Sequence, residues 1–329
     1  MNHRLKRNRF YYIAFGIGVV VISYTLIFGV GGCPGPERRM AEKAIPRFDK
    51  EPIISVYMHD TGQRVQMPLE TYIEGVVAGE MRPGWPVNAY AAQAIIARTF
   101  TMEFLSRGGT RRLHGTDIST KPEEAQAYNA SAVTPDIKKA VAMTRGEVLS
   151  YRGRYIRGWF NALCAGETSL AKDGLAYKGP EPPYTARVSC PCPRYTPPEE
   201  FYWKASFSAD EVRAALAKVG LNIGDIRDVR IIRRSPDDRV TLFRISHSGG
   251  STDIAGNDLR VALGSERMRS TILSSMTFRD GVLSMEGKGF GHGVGMCQWG
   301  AYAFAKQGKS PEEIVTHYFR GVKVVKLWD

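Results

Sequence analysis

The chain has no internal repeat, no low-complexity tract and no run of five basic residues in its 329 positions. A disordered tail, a collagen-like rod and a dedicated nucleic-acid arm are thereby excluded. No His-Glu-x-x-His stretch occurs, and its glycine-rich segment lacks the Lys-Ser/Thr ending of a phosphate loop. A zinc hydrolase and a phosphate-loop enzyme therefore have little support. Only one apolar run is long enough to cross a bilayer, so a multispan membrane protein is also excluded. Cysteine is sparse, five in all, and a chain of this length buries a core without disulfide staples.

What is present is an ordinary globular composition, 43% hydrophobic and 24% charged, with a net charge of +12. Arg4, Lys6, Arg7, Arg9, Arg38 and Arg39 stand against Glu37 alone before residue 40. The remaining surplus is spread thinly over the rest, which suits an anionic polymer or surface better than sequence-read DNA. Residues 11–30 carry no charge, enough for one membrane span. The cationic flank, 1–10, is expected in the cytoplasm and the bulk outside, joined by a linker over 31–50. Val30-Gly31-Gly32-Cys33 keeps cleavage as a lipoprotein open. Cys164, Cys190, Cys192 and Cys297 would then meet an oxidising compartment. Cys190 and Cys192, one residue apart, suit a shared metal better than a mutual disulfide.

Beyond the linker, residues 68–81 show helical periodicity through Leu69, Tyr72, Ile73, Val76 and Val77. On that wheel Glu80 falls inside the apolar stripe, whereas Glu70 and Glu74 fall outside it and are expected in solvent. A carboxyl on a buried face has its charged form disfavoured, so it can hold a proton at neutral pH and act as a general acid. Residues 86–105 read as an Ala-rich second helix carrying Gln93 and Arg98, each a candidate for sugar hydroxyls, Arg98 also for a carboxylate. From Gly287 to Gly295 every second residue is glycine. In an extended strand this leaves one bare face for a ligand or another backbone, with Phe290 and His292 opposite. Gln298 and Trp299 follow, an amide and an aromatic of the kind that hold sugars, and Ser310 to Glu313 reads as a capping box.

These segments resemble the stage II sporulation protein D family of peptidoglycan lytic transglycosylases. The residues that carry the resemblance run from Leu69 through Glu80, Met81, Trp85, Gln93 and Arg98 to Gln126 and Tyr128. It continues through Thr144, Gly146, Gly166, Thr168, Leu259, Arg260 and Arg269-Ser270-Thr271, to the run 289–296 and Gln298-Trp299-Gly300-Ala301. Cys297 stands where the family usually has Ser, and Asp238 where a Gly commonly precedes Arg239. The loop after Asn161 contributes Cys164 and no His. The resemblance implies Glu80 as the catalytic acid and base, and Arg98, Gln93, Tyr128, His292, Gln298 and Trp299 as binders of the glycan strand. It implies scission of the bond between N-acetylmuramic acid and N-acetylglucosamine to a 1,6-anhydro product, in forespore engulfment, with no cofactor in the chemistry. It implies a cell-membrane location with an amidase and a polytopic membrane protein as partners, and no nucleic acid. A glycan-binding amidase enhancer without its own chemistry is the competing class. Structural zinc on Cys164, Cys190 and Cys192 stands against a disulfide from Cys164, with His292 or Cys297 as fourth ligand.

The expected fold is a single-span anchor followed by one mixed α+β ectodomain over 51–328, with residues 206–220 as a candidate insertion subdomain.

Overall fold

Residues 45–329 are described by the computed structural model. The expected cytoplasmic tail, membrane span and most of the linker lie outside the described residues, within which no helix is long and apolar enough to cross a membrane. The fold begins before residue 51. Phe48 donates its N–H to the Leu327 carbonyl at 2.7 Å and packs on Trp328.

A hairpin, β1 (Ile53–Met58) and β2 (Gln63–Pro68), pairs in parallel with β3 (Ile118–Ser119) and delivers the chain into α1 (Leu69–Glu80). All five apolar positions of the helical stripe in α1 are fully buried. After the Pro83-Gly84 break comes α2 (Val87–Ser106), whose Ala89, Ala91, Ala92, Ala94 and Ala97 have no exposure. Side chains this small let neighbours approach from every side. Accordingly α1, the helices Pro135–Met143, Gln298–Lys306 and Pro311–Tyr318, and the strand Glu147–Tyr151 all pack around α2. The strand Glu147–Tyr151 forms a hairpin with Arg154–Tyr155, completed by Lys323–Lys326 on its other edge.

A second lobe has its own core. Two three-stranded antiparallel sheets, one of 226–234, 240–247 and 250–255 and the other of 202–208, 282–288 and 273–279, close over Phe207, Phe243, Leu259 and Leu283. The helix Ala209–Lys218 starts at a Ser208/Glu211 capping box and packs into this second core, which draws on residues well beyond the expected 206–220. The mixed α+β class holds.

The glycine segment corrects the expectation of an extended strand. Gly289, Gly291, Gly293 and Gly295 all have positive φ, between 72° and 107°, so the backbone leaves the extended conformation at every second residue. Its bare face is already occupied by the protein. A Cβ on Gly289 would stand 2.9 Å from the Leu163 carbonyl oxygen, and one on Gly293 would land on the Arg239 guanidinium. That guanidinium is fully buried, paired with Asp237 at 3.1 Å. Periodicity shows that a face is bare and not what fills it. We expect Gly293→Val to lower stability by about 2–5 kcal/mol through backbone strain and overpacking. Thermal melting measures this; a variant melting like the parent would show that the segment is open.

Candidate active site

Glu80 is the last residue of α1. One carboxylate oxygen accepts the Ala127 N–H at 2.7 Å, and its backbone carbonyl accepts the Gln298 amide at 3.2 Å. Burial pushes its carboxyl up to about 7, against a smaller opposing effect of the Ala127 bond. It retains some exposure at the floor of a cleft of about 350 Å³. That cleft lies where the two lobes meet, lined by Arg82, Trp85, Leu163, Glu199, Glu200, Glu266, Arg269, Phe290, Gln298 and Trp299. Trp85, Trp299 and Tyr302 form an aromatic cluster with ring centroids 4.9 to 5.3 Å apart, and Arg82 lies over the Trp299 ring.

Of the residues singled out in the sequence, the cleft brings together Glu80, Gln298 and Trp299. Arg98 is corrected. It is fully buried, with Nε and Nη2 donating to the two carboxylate oxygens of Glu70 at 3.1 and 2.6 Å. Glu70, expected in solvent, also accepts the Gly146 N–H and the Trp328 indole N–H. The wheel of α1 shows which face its own pattern buries; α2 and the C-terminal segment cover the other. Arg98 therefore holds the core, since removing one partner of such a pair leaves a buried charge unmatched. Gln93 is likewise fully buried and does not line this cleft. Tyr128 stacks on Tyr72 at 5.6 Å behind Glu80, and it is Ala127 beside it that reaches the carboxylate. His292 accepts the Val294 N–H on Nδ1. Burial, with Arg260 and Arg239 nearby, lowers its pKa to about 3, so its imidazole is neutral.

The sequence reading missed Glu199, Glu200, Glu266 and the cleft role of Arg269. Glu199 and Glu200 open the helix Pro198–Phe201 in a segment without a distinctive pattern, and only the packing of the second lobe aims them here.

All four cysteines of the described residues are free and buried, and one sulfur from each lies within 4.8 Å of the others. Cys297, not His292, completes the group. Zinc bound by four thiolates at about 2.3 Å holds the sulfurs about 3.8 Å apart, and Cys164 and Cys192 stand at 3.6 Å. The surroundings suit thiolates. Cys297 Sγ accepts the N–H groups of Cys164 and Gly300, both at 3.3 Å, and Tyr318 Oη lies 3.3 Å from Cys190 Sγ. Burial pushes the Cys164 and Cys297 thiols up, while hydrogen bonding from its neighbouring thiols pushes Cys190 down. The tetrad adjoins the cleft walls, because Leu163 precedes Cys164 and Gln298 follows Cys297, which caps its helix through Sγ.

The class so defined is a two-lobed α+β domain with one strongly desolvated carboxyl in an aromatic cleft, next to a buried thiol tetrad. A family model described as a stage II sporulation protein matches residues 57–151, and one described as a domain of unknown function matches 195–295, the second lobe. The chain is 30% identical over 304 residues to stage II sporulation protein D of Bacillus amyloliquefaciens, covering 87% of this chain and 83% of that one. The same protein of Bacillus subtilis (strain 168) is 30% identical over 302 residues, 86% and 82% of the two chains. An amidase enhancer of Bacillus subtilis (strain 168) is 24% identical over 292 residues, 76% of this chain and 39% of the other. The chain belongs to the stage II sporulation protein D family. Asp238, where the resemblance led to an expectation of Gly, adopts φ +64°, a conformation that Asp tolerates better than most residues.

Proposed function

We propose that this protein is a peptidoglycan lytic transglycosylase of the sporulation cell wall, anchored by residues 11–30. The observation that carries the reading is Glu80, a carboxyl holding its proton to about pH 7 at the floor of an aromatic cleft. Protonated Glu80 donates to the glycosidic oxygen as the bond to the muramyl anomeric carbon breaks. The resulting carboxylate takes the proton of the muramyl 6-hydroxyl as that oxygen attacks the same carbon, and the 1,6-anhydro ring closes. An internal nucleophile removes the need for the second carboxylate of ordinary glycosidases. Trp85 and Trp299 offer flat apolar faces for the sugar rings, and Gln298 holds the end of α1 in register.

We assign structural zinc to Cys164, Cys190, Cys192 and Cys297, where it would cross-link the cleft walls and take no part in proton transfer. An amidase and a polytopic membrane protein are the partners proposed for an engulfment complex. Incubating the protein with purified glycan strands and weighing the sugars tests the reading: 1,6-anhydromuramyl ends are expected. The likeness to an amidase enhancer favours a second reading, a glycan-binding cleft without chemistry. Absence of anhydro product with acceleration of an added amidase would establish that one instead.

A further inference from the structure

Arg269 belongs to a sequence motif that the proton chemistry leaves unused. It lines the cleft beside Glu80 and also the adjoining hollow of about 380 Å³, so it stands at the junction of the two. Its backbone is pinned, because Gly291 N–H and Arg260 Nε–H both donate to its carbonyl, at 2.8 and 2.9 Å. The side chain is half-buried, its guanidinium 5.6 Å from the centroid of the Phe290 ring. Stacking occupies a face of the group and none of its N–H donors.

The other cations along this groove are engaged. Arg82 pairs with Glu200 at 2.6 Å, Lys204 with Glu286 at 2.7 Å and Arg267 with Glu211 at 2.7 Å. Arg269 makes no ion pair among the described residues, although the exposed Glu199 and Glu266 share its lining. A partly desolvated guanidinium without an internal carboxylate favours an anionic ligand with planar oxygens. Glycan hydroxyls and N-acetyl groups are neutral. Carboxylates enter such a strand only on the muramyl sugar, as its lactyl group when no peptide is attached, or within the peptide when one is.

We propose that Arg269 is a specificity-determining residue that pairs with a carboxylate carried by the muramyl sugar bound against Glu80. This rests on the glycan-binding reading of the cleft and not on turnover. The full chain carrying Glu80→Gln serves as the binding protein, and equilibrium affinity is measured on four preparations. These are peptide-free strands and peptide-bearing strands, each as the free acid and after conversion of its carboxylates to methylamides. One acid form should bind about tenfold tighter than its methylamide, as expected of a charge-assisted bidentate contact, and that difference should shrink with salt. Adding Arg269→Met should collapse it, while Arg269→Lys, with a point charge and no fork, should keep part of it.

The difference appearing with peptide-free strands places the carboxylate on the lactyl group; appearing only with peptide-bearing strands, it places it on the peptide. Equal affinity for acid and methylamide in both pairs overturns the proposal. So does a difference that survives in Arg269→Met or, should the Met variant fail to fold, one that is undiminished both in Arg269→Lys and at high salt. If the difference holds and depends on Arg269 but wild type yields no anhydro sugar, only the catalytic reading falls.

Discussion

Glu80→Gln is expected to lower the release of 1,6-anhydromuramyl products by about 10²–10⁴, the usual worth of general acid–base catalysis. Glutamine keeps the shape and can still accept the Ala127 N–H, but it cannot give up a proton and take one back. Because burial raises the wild-type carboxyl to about 7, the wild-type rate should hold below that pH and fall as Glu80 ionises above it. The same shift sets a stability signature of opposite use. Folded Glu80 binds its proton more tightly than the unfolded chain does, so stability is lost as pH rises from about 4.5 towards 7. At pH 8 the Gln variant should therefore be more stable than wild type, by at most about 3 kcal/mol, and at pH 4 the two should melt alike. Near wild-type product release by the variant would remove Glu80 as the acid. A variant that unfolds at both pH values would make the residue structural.

If the proposed zinc sits on the tetrad, its removal is expected to have the largest effect on the fold. Structural zinc in thiolate sites binds with about 10–16 kcal/mol in small peptides, and that affinity is folding free energy. The tetrad lies between the loop after Asn161, the turn at Cys190 to Cys192 and the start of the helix Gln298–Lys306, so its loss should loosen the cleft walls first. The protein should carry one zinc per chain by native mass spectrometry. Chelation should expose the four thiols to alkylation and lower both melting temperature and glycan binding. Four sulfurs this close also permit oxidation. A metal-free, active protein with Cys164 cross-linked to Cys190 or Cys192 would replace zinc by a disulfide.

Much of this was legible in the chain. Local signals worked wherever the cause was local: the apolar stripe of α1, the Ala-rich α2 and the capping box at Ser310. Glu80 was legible for the same reason, since its place in an apolar stripe is a property of one helix. The thiols could be named but their set could not be closed, because Cys297 is 133 residues from Cys164 and meets it only across folded segments.

Tertiary structure decided the rest. Glu70 reads as a solvated charge and Arg98, 28 residues on, as a candidate for a sugar or a carboxylate, until α1 and α2 bury them against each other and Trp328. The glycine run reads as an open face until the loop 159–165 and Arg239 fill it. The cleft is lined from both sides of a lobe boundary, so Glu199, Glu266 and Arg269 join Glu80 only through packing. Sequence by itself determined which groups are shielded within one element, because helical and strand periods are set by the backbone. Which shielded groups meet, and which face is left for a ligand, depends on contacts far apart in the chain that no local period records.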